Sequence, residues 1–171
     1  MKYALLFFVS SLLVNCGSVV YDYEKNQDFS QYKTYNFYPE LRSGLSQLDE
    51  KRWKAAVENT MQAKGFTLSN QPNVYINLKS QEFRDPSGNS VGVGVGSGGG
   101  GVNVNLGSIF TVGSPRINLR LTIDMVDVQK DDLVWQGSTE KRFYPNAKPE
   151  VREEYFSNIS QRIFKKYPPK K

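Results

Sequence analysis

Arg116-Ile117-Asn118-Leu119-Arg120-Leu121-Thr122-Ile123-Asp124-Met125-Val126-Asp127-Val128 is the stretch whose pattern decides the fold. Ile117, Leu119, Leu121, Ile123 and Met125 alternate with Asn118, Arg120, Thr122 and Asp124. A period of two puts each set on its own side of a β-strand, one side made for burial and the other for water. Lys130-Asp131-Asp132 turns the chain, and Leu133-Val134-Trp135-Gln136-Gly137 returns antiparallel to the first strand. A sheet buried on both faces would instead read as unbroken apolar runs.

Towards the N-terminus, Val74-Tyr75-Ile76-Asn77-Leu78 reads as a strand entered through Pro72, and Val19 to Tyr23 as another. Asp28-Phe29-Ser30 makes a turn, and Tyr32 to Tyr38 is extended chain with Tyr35 and Phe37 on one face, ended by Pro39. Two helices accompany these strands. The first opens at Ser46, with Asp49 three residues on in the manner of a capping box. Leu48, Trp53, Ala56, Val57, Thr60 and Met61 follow at helical spacing, and Gly65 takes the C′ position with Phe66 behind it. The second helix has Pro149 at its start, a stripe of Val151, Tyr155, Phe156, Ile159, Ile163 and Tyr167, and a stop at Pro168-Pro169. Strand, helix, several strands, helix describes an α+β domain: an antiparallel sheet with both helices packed on one face.

Ten of the 14 glycines fall between Ser87 and Gly113. Val91, Val93 and Val95 alternate with glycine, and Val102, Val104 and Leu106 follow Gly98-Gly99-Gly100-Gly101 with asparagines between them. That pattern predicts a protruding glycine-rich β-hairpin over residues 87–113. Gly94-Val95-Gly96-Ser97-Gly98-Gly99 matches a dinucleotide fingerprint in letters only: no helix follows it, and no Lys-Ser or Lys-Thr makes a phosphate loop.

The second informative stretch is Leu13-Val14-Asn15-Cys16. Lys2, an apolar run from Tyr3 to Leu13 too short to span a bilayer, and the chain's one cysteine together make a bacterial lipoprotein signal. The expectation is cleavage after Asn15 and acylation of Cys16. Residues 1–15 are then the signal peptide, 16–18 the tether, 19–168 a single domain and 169–171 a basic tail. The tether reaches about 10 Å at ~3.3 Å per residue. Each buried acyl methylene contributes about 0.8 kcal/mol, so the body would lie close against its membrane. No acidic run follows Cys16, which favours a periplasm-facing place on the outer membrane.

The chain has 171 residues, a net charge of +5 and no histidine. Without its leader it keeps about 155 residues, the size of one domain. Lack of histidine removes Ser-His and Cys-His chemistry and the usual metal ligand. Asp124, Asp127, Asp131 and Asp132 lack the spacing of a calcium loop and read as a polar strand face leading into a turn. Glu153 and Glu154, with Arg152 beside them, read as solvated helix surface. No metal and no cofactor is expected.

Lys165, Lys166, Lys170 and Lys171 gather charge at the C-terminus, where lysines complement a helix dipole. Contact with anionic lipid or cell-wall polymer is the functional alternative. Aromatics are not interleaved with a basic stripe, so nucleic acid is not an expected partner. Tyr21, Tyr23, Tyr32 and Tyr35 are the candidate partner-binding surface wherever they stay exposed. Packing beneath the first helix is the alternative for about half of them, given the split of faces along a strand.

Taken together, several stretches resemble a family of bacterial lipoproteins known only as a domain of unknown function, number forty-one thirty-six. They are Tyr21-Asp22-Tyr23, Asp28-Phe29-Ser30-Gln31-Tyr32-Lys33-Thr34-Tyr35, Ala63-Lys64-Gly65-Phe66 and Asp132-Leu133-Val134-Trp135-Gln136-Gly137, spanning nearly all of the mature chain. The resemblance implies a compact envelope lipoprotein domain and carries over no catalytic residue. The expected role is a non-catalytic binding or accessory module, held to the membrane by acyl chains on Cys16 and meeting an envelope protein or cell-wall partner. A carrier or sensor of an amphipathic ligand between helices and sheet is the first alternative. A carboxylate-dependent cell-wall hydrolase is the last.

Overall fold

The computed structural model describes residues 18–85 and 116–169. The leader, Cys16, the segment 87–113 and the last two lysines therefore lie outside the described residues. The strands are β1 (Val19–Tyr23), β2 (Thr34–Phe37), β3 (Thr67–Leu68), β4 (Val74–Asp85), β5 (Arg116–Asp127) and β6 (Asp132–Phe143). Helix α1 (Gln47–Ala63) lies between β2 and β3, and α2 (Pro149–Ile163) follows β6. The six strands form one sheet in the order β1-β6-β5-β4-β2-β3. The fold is α+β.

The long arms β4, β5 and β6 are antiparallel, with Ile76 opposite Met125 and Ile123 opposite Gly137. Strand β1 joins antiparallel at the outer side of β6, Tyr21 opposite Gly137. The other edge departs from the antiparallel expectation: β2 runs parallel to β4, and β3 parallel to β2. The reason is the connection. A parallel pair needs a crossover of a dozen or more residues, and α1 supplies it between β2 and β4. The sheet is therefore mixed.

One face of the sheet holds the core. Val74, Ile76, Leu78, Leu119, Leu121, Ile123 and Met125 are buried there, under Trp53, Val57 and Met61 of α1 and Phe156, Ile159 and Ile163 of α2. Each such side chain contributes roughly 1.5–3 kcal/mol when fully buried. Trp53 and Phe156 stack at 6.2 Å and 23°, joining the helices to each other. Leu48 and Val151 leave the expected stripes: they are 66% and 51% exposed. Asp49 takes the buried place in the first turn of α1 instead.

The ends of α1 follow from local chemistry. The Asp49 N–H donates to Ser46 Oγ (3.3 Å) and the Ser46 hydroxyl to Asp49 Oδ2 (3.0 Å). At the other end Gly65 has φ +85°, its N–H donates to the Gln62 carbonyl and the Phe66 N–H to the Met61 carbonyl. Those two bonds and the left-handed residue make a Schellman motif, and buried Phe66 provides its hydrophobic contact.

Candidate functional site

The four tyrosines separate into two pairs. Tyr35 is 0% exposed, packed edge-on against Phe37 and Phe66. Burial, with Glu58 nearby, pushes its phenol up to about 12. Tyr32 is 4% exposed and donates to Asp127 Oδ2 at 2.6 Å. Asp127 also accepts from the backbone N–H groups of Gln129 and Lys130. Burial alone would raise the Asp127 carboxyl, but those bonds, with the Lys130 charge, hold it below the ordinary carboxylate value. Tyr32 thus braces the β5–β6 turn from within. Neither Tyr32 nor Tyr35 offers a surface to a partner.

Tyr21 and Tyr23 stand elsewhere. Pairing of β1 with β6 sets Tyr23 opposite Trp135 and leaves Tyr23 39% exposed. Tyr21 is half-buried, tilted against Trp135 at 6.1 Å, and donates to the Arg162 carbonyl at 3.0 Å. Past α2, a 3-10 turn (Phe164–Lys166) lays Phe164 flat on Trp135 at 5.4 Å and 13°. Lys166 Nζ then lies 5.5 Å from the Tyr21 ring centroid. Tyr167 meets Trp135 edge-on at 5.4 Å and 86°, while Lys64 Nζ donates to its carbonyl at 3.0 Å.

Beside these contacts lies an open recess of about 910 Å³ lined by Tyr21, Tyr23, Trp135, Lys165, Lys166, Tyr167, Pro168 and Pro169. Its exposed walls are tyrosine and proline carbon, with the buried rings of Trp135 and Tyr167 behind them; its charges are two ammonium groups, and no carboxylate lines it among the described residues. Trp135 Nε1 and the Tyr167 hydroxyl are buried with no hydrogen-bond partner among the described residues. Burial first, then proximity to Tyr32, keeps the Tyr167 phenol protonated well above its ordinary range. The site can hold an apolar body and neutralise a negative group. Among the described residues its lining includes no serine, cysteine, histidine or carboxylate.

The sequence offers Tyr21 and Tyr23 as partner-binding candidates and Lys165 and Lys166 as a candidate contact for anionic lipid or polymer, but it does not bring the two sets together, nor does it single out Trp135 or Tyr167 for the site. The usable signal was Lys165-Lys166-Tyr167-Pro168-Pro169, an aromatic and basic cluster at a helix end. What it lacked was a partner, which only the β1–β6 pairing provides.

On the sheet's open face, Asp124 receives Lys79 Nζ at 2.8 Å and Gln136 Nε2 at 2.7 Å. Arg120 pairs with Glu140 at 3.2 Å, and Thr122 bonds Ser138 at 3.2 Å. Asp124 and Asp127 are thus separately engaged, and among the described residues no three His, Cys, Asp or Glu side chains gather as metal ligands. A groove of about 660 Å³ between α1 and α2 is lined by Glu150, Glu153 and Glu154 facing Lys51 and Arg52. Arg152, expected at the solvated surface, reaches Asp49 instead. The interval between helices and sheet, where the carrier alternative puts its amphipathic ligand, is filled by Trp53, Met61, Phe156 and Ile163. No helix among the described residues is long and apolar enough to cross a membrane.

A mixed sheet with both helices on one face and an aromatic recess at its β1 edge defines an α+β domain with a ligand-sized cleft. The chain belongs to the family described as Domain of unknown function (DUF4136), whose model matches residues 19–169. None of the curated proteins matches this chain. Among solved structures it is similar to a PDZ domain protein from Parabacteroides distasonis, with a TM-score of 0.59 and 15% identity. That likeness covers 91% of this chain but 36% of the other, so this chain spans about a third of that protein. It is also similar to PelC dodecamers from Paraburkholderia phytofirmans in two crystals. One has a TM-score of 0.50 and 11% identity, over 86% of this chain and 96% of the other. The second has a TM-score of 0.50 and 8% identity, over 87% and 96%. At these identities the shared property is the fold.

Proposed function

We propose that this protein is a lipid-anchored, non-catalytic binding module of the bacterial envelope, fixed through Cys16 to the periplasmic face of the outer membrane. The observation that carries the reading is the recess. It is built on β1, the first element after the tether, so an anchored chain would present this cleft beside the membrane that holds it. The lipoprotein signal at Leu13-Val14-Asn15-Cys16 supports the anchor. A cleft with aromatic walls and ammonium groups, lacking paired carboxylates, supports binding over hydrolysis.

Two measurements test it. Intact mass of the protein from membranes should show a chain beginning at Cys16 and carrying acyl groups. A photo-reactive side chain replacing Tyr23 should give one reproducible cross-linked product in cells, absent when the same group replaces exposed Leu48 on α1. A soluble, unacylated chain would overturn the anchor; identical products from both positions would overturn the binding site.

A further inference from the structure

We propose that the recess takes the head of a single anionic phospholipid, its phosphate at Lys165 and Lys166 and the first carbons of its acyl chains against Tyr21, Tyr23 and Pro168. This deepens the anchored-module reading and rests on it. Three observations converge. The volume, about 910 Å³ in a recess open to solvent, suits a headgroup with the first carbons of its acyl chains, since small-molecule sites run from roughly 300 to 1,000 Å³.

The chemistry is asymmetric. Apolar walls want hydrocarbon, while two ammonium groups with no lining carboxylate want a negative charge. An amphiphile with an anionic head answers both demands, whereas a zwitterionic head brings its phosphate together with a cation that the two lysines repel. Tyrosine also suits the boundary between hydrocarbon and water, having an apolar body and a polar tip, and Tyr23 is exposed there. Tyr21 spends its hydroxyl on the Arg162 carbonyl, and its ring holds the Lys166 ammonium at the recess.

Position completes the argument. Tyr21 follows Cys16 by five residues, at most about 17 Å of extended chain. An acylated Cys16 therefore keeps the recess within reach of the leaflet's own headgroups, and the membrane is a ready source of the ligand.

The test uses the acylated protein extracted from membranes and transferred into micelles containing phosphatidylglycerol, phosphatidylcholine, or inorganic phosphate without lipid. Native mass spectrometry should show one retained phosphatidylglycerol per chain and little phosphatidylcholine. The double variant Lys165→Gln/Lys166→Gln should lower phosphatidylglycerol retention about tenfold or more, since each lysine near an anionic head favours binding. Tyr23→Ala should lower retention of both lipids, and circular dichroism should show both variants folded. Equal retention of the two lipids, no effect of the lysine changes, or retention of free phosphate in place of lipid overturns the proposal. The acyl mass on Cys16 is read in the same spectra, so failure of the anchor is distinguished from failure of the lipid site.

Discussion

A Cβ added at Gly137 would lie 2.5 Å from Ile163 Cγ2 and 2.7 Å from Trp135 Cη2. The missing side chain lets α2 settle on β6 and lets the Trp135 indole turn across the gap, where it backs the recess. Both neighbours are buried, so neither has room to retreat. Gly137→Ala is therefore expected to cost about 1–3 kcal/mol through overpacking. Urea unfolding followed by tryptophan emission measures it, and a neutral result would mean that the helix can ride outward at no cost. The residue scale is also where the sequence is least legible. Gly137 is one glycine at the end of a good strand pattern, and nothing local reveals that a helix lies over it. The faces of Tyr32 and Tyr35 were half legible, because alternation says that a residue turns inward but not which neighbours wait there. The buried Tyr32–Asp127 bond joins residues 95 apart.

Between elements, the contact between α1 and α2 turns on a carboxylate. Asp49 Oδ1 receives Arg52 Nη1 at 3.0 Å, and Asp49 Oδ2 receives Arg152 Nη2 from α2. Asp49 is buried, while both arginines are only partly shielded. Asp49→Ala would leave two guanidinium groups facing each other without their acceptor, and it also removes a capping contact to Ser46. The expected loss is about 3 kcal/mol, in the range of breaking a buried pair. A change below about 1 kcal/mol in denaturant unfolding would class the pair with exposed ones. Helix ends were legible because Ser46, Gly65 and Pro149 act within one turn of themselves. The direction of β2 was not: four alternating residues look alike in a parallel or an antiparallel ladder. Its partner at Val74 lies beyond a 17-residue helix.

At the scale of the whole molecule, the recess and the core share one material, tyrosine. The recess was illegible because it joins the two ends of the domain, Tyr21 bonding a carbonyl 141 residues away. Burial raises the phenols of Tyr21, Tyr32, Tyr35, Tyr155 and Tyr167 above the ordinary 10.0. A raised folded value means that the native chain keeps protons which the unfolded chain releases. Their contribution to stability is fully present below pH 10 and is lost as pH rises from there through each folded value. For Tyr35 the window runs from 10.0 to about 12 and is worth roughly 2–3 kcal/mol at its upper end. The Tyr35 hydroxyl is buried with no hydrogen-bond partner among the described residues. Tyr35→Phe should therefore leave stability at neutral pH unchanged or slightly higher, since it removes a desolvated group without stranding another. Between pH 10 and 12 the variant should lose less stability than the parent, with its alkaline unfolding midpoint moved upward. Urea melts at successive pH values, read beside tyrosinate absorbance, decide the matter. Parallel stability curves for parent and variant across that window would mean that Tyr35 ionises without unfolding the sheet.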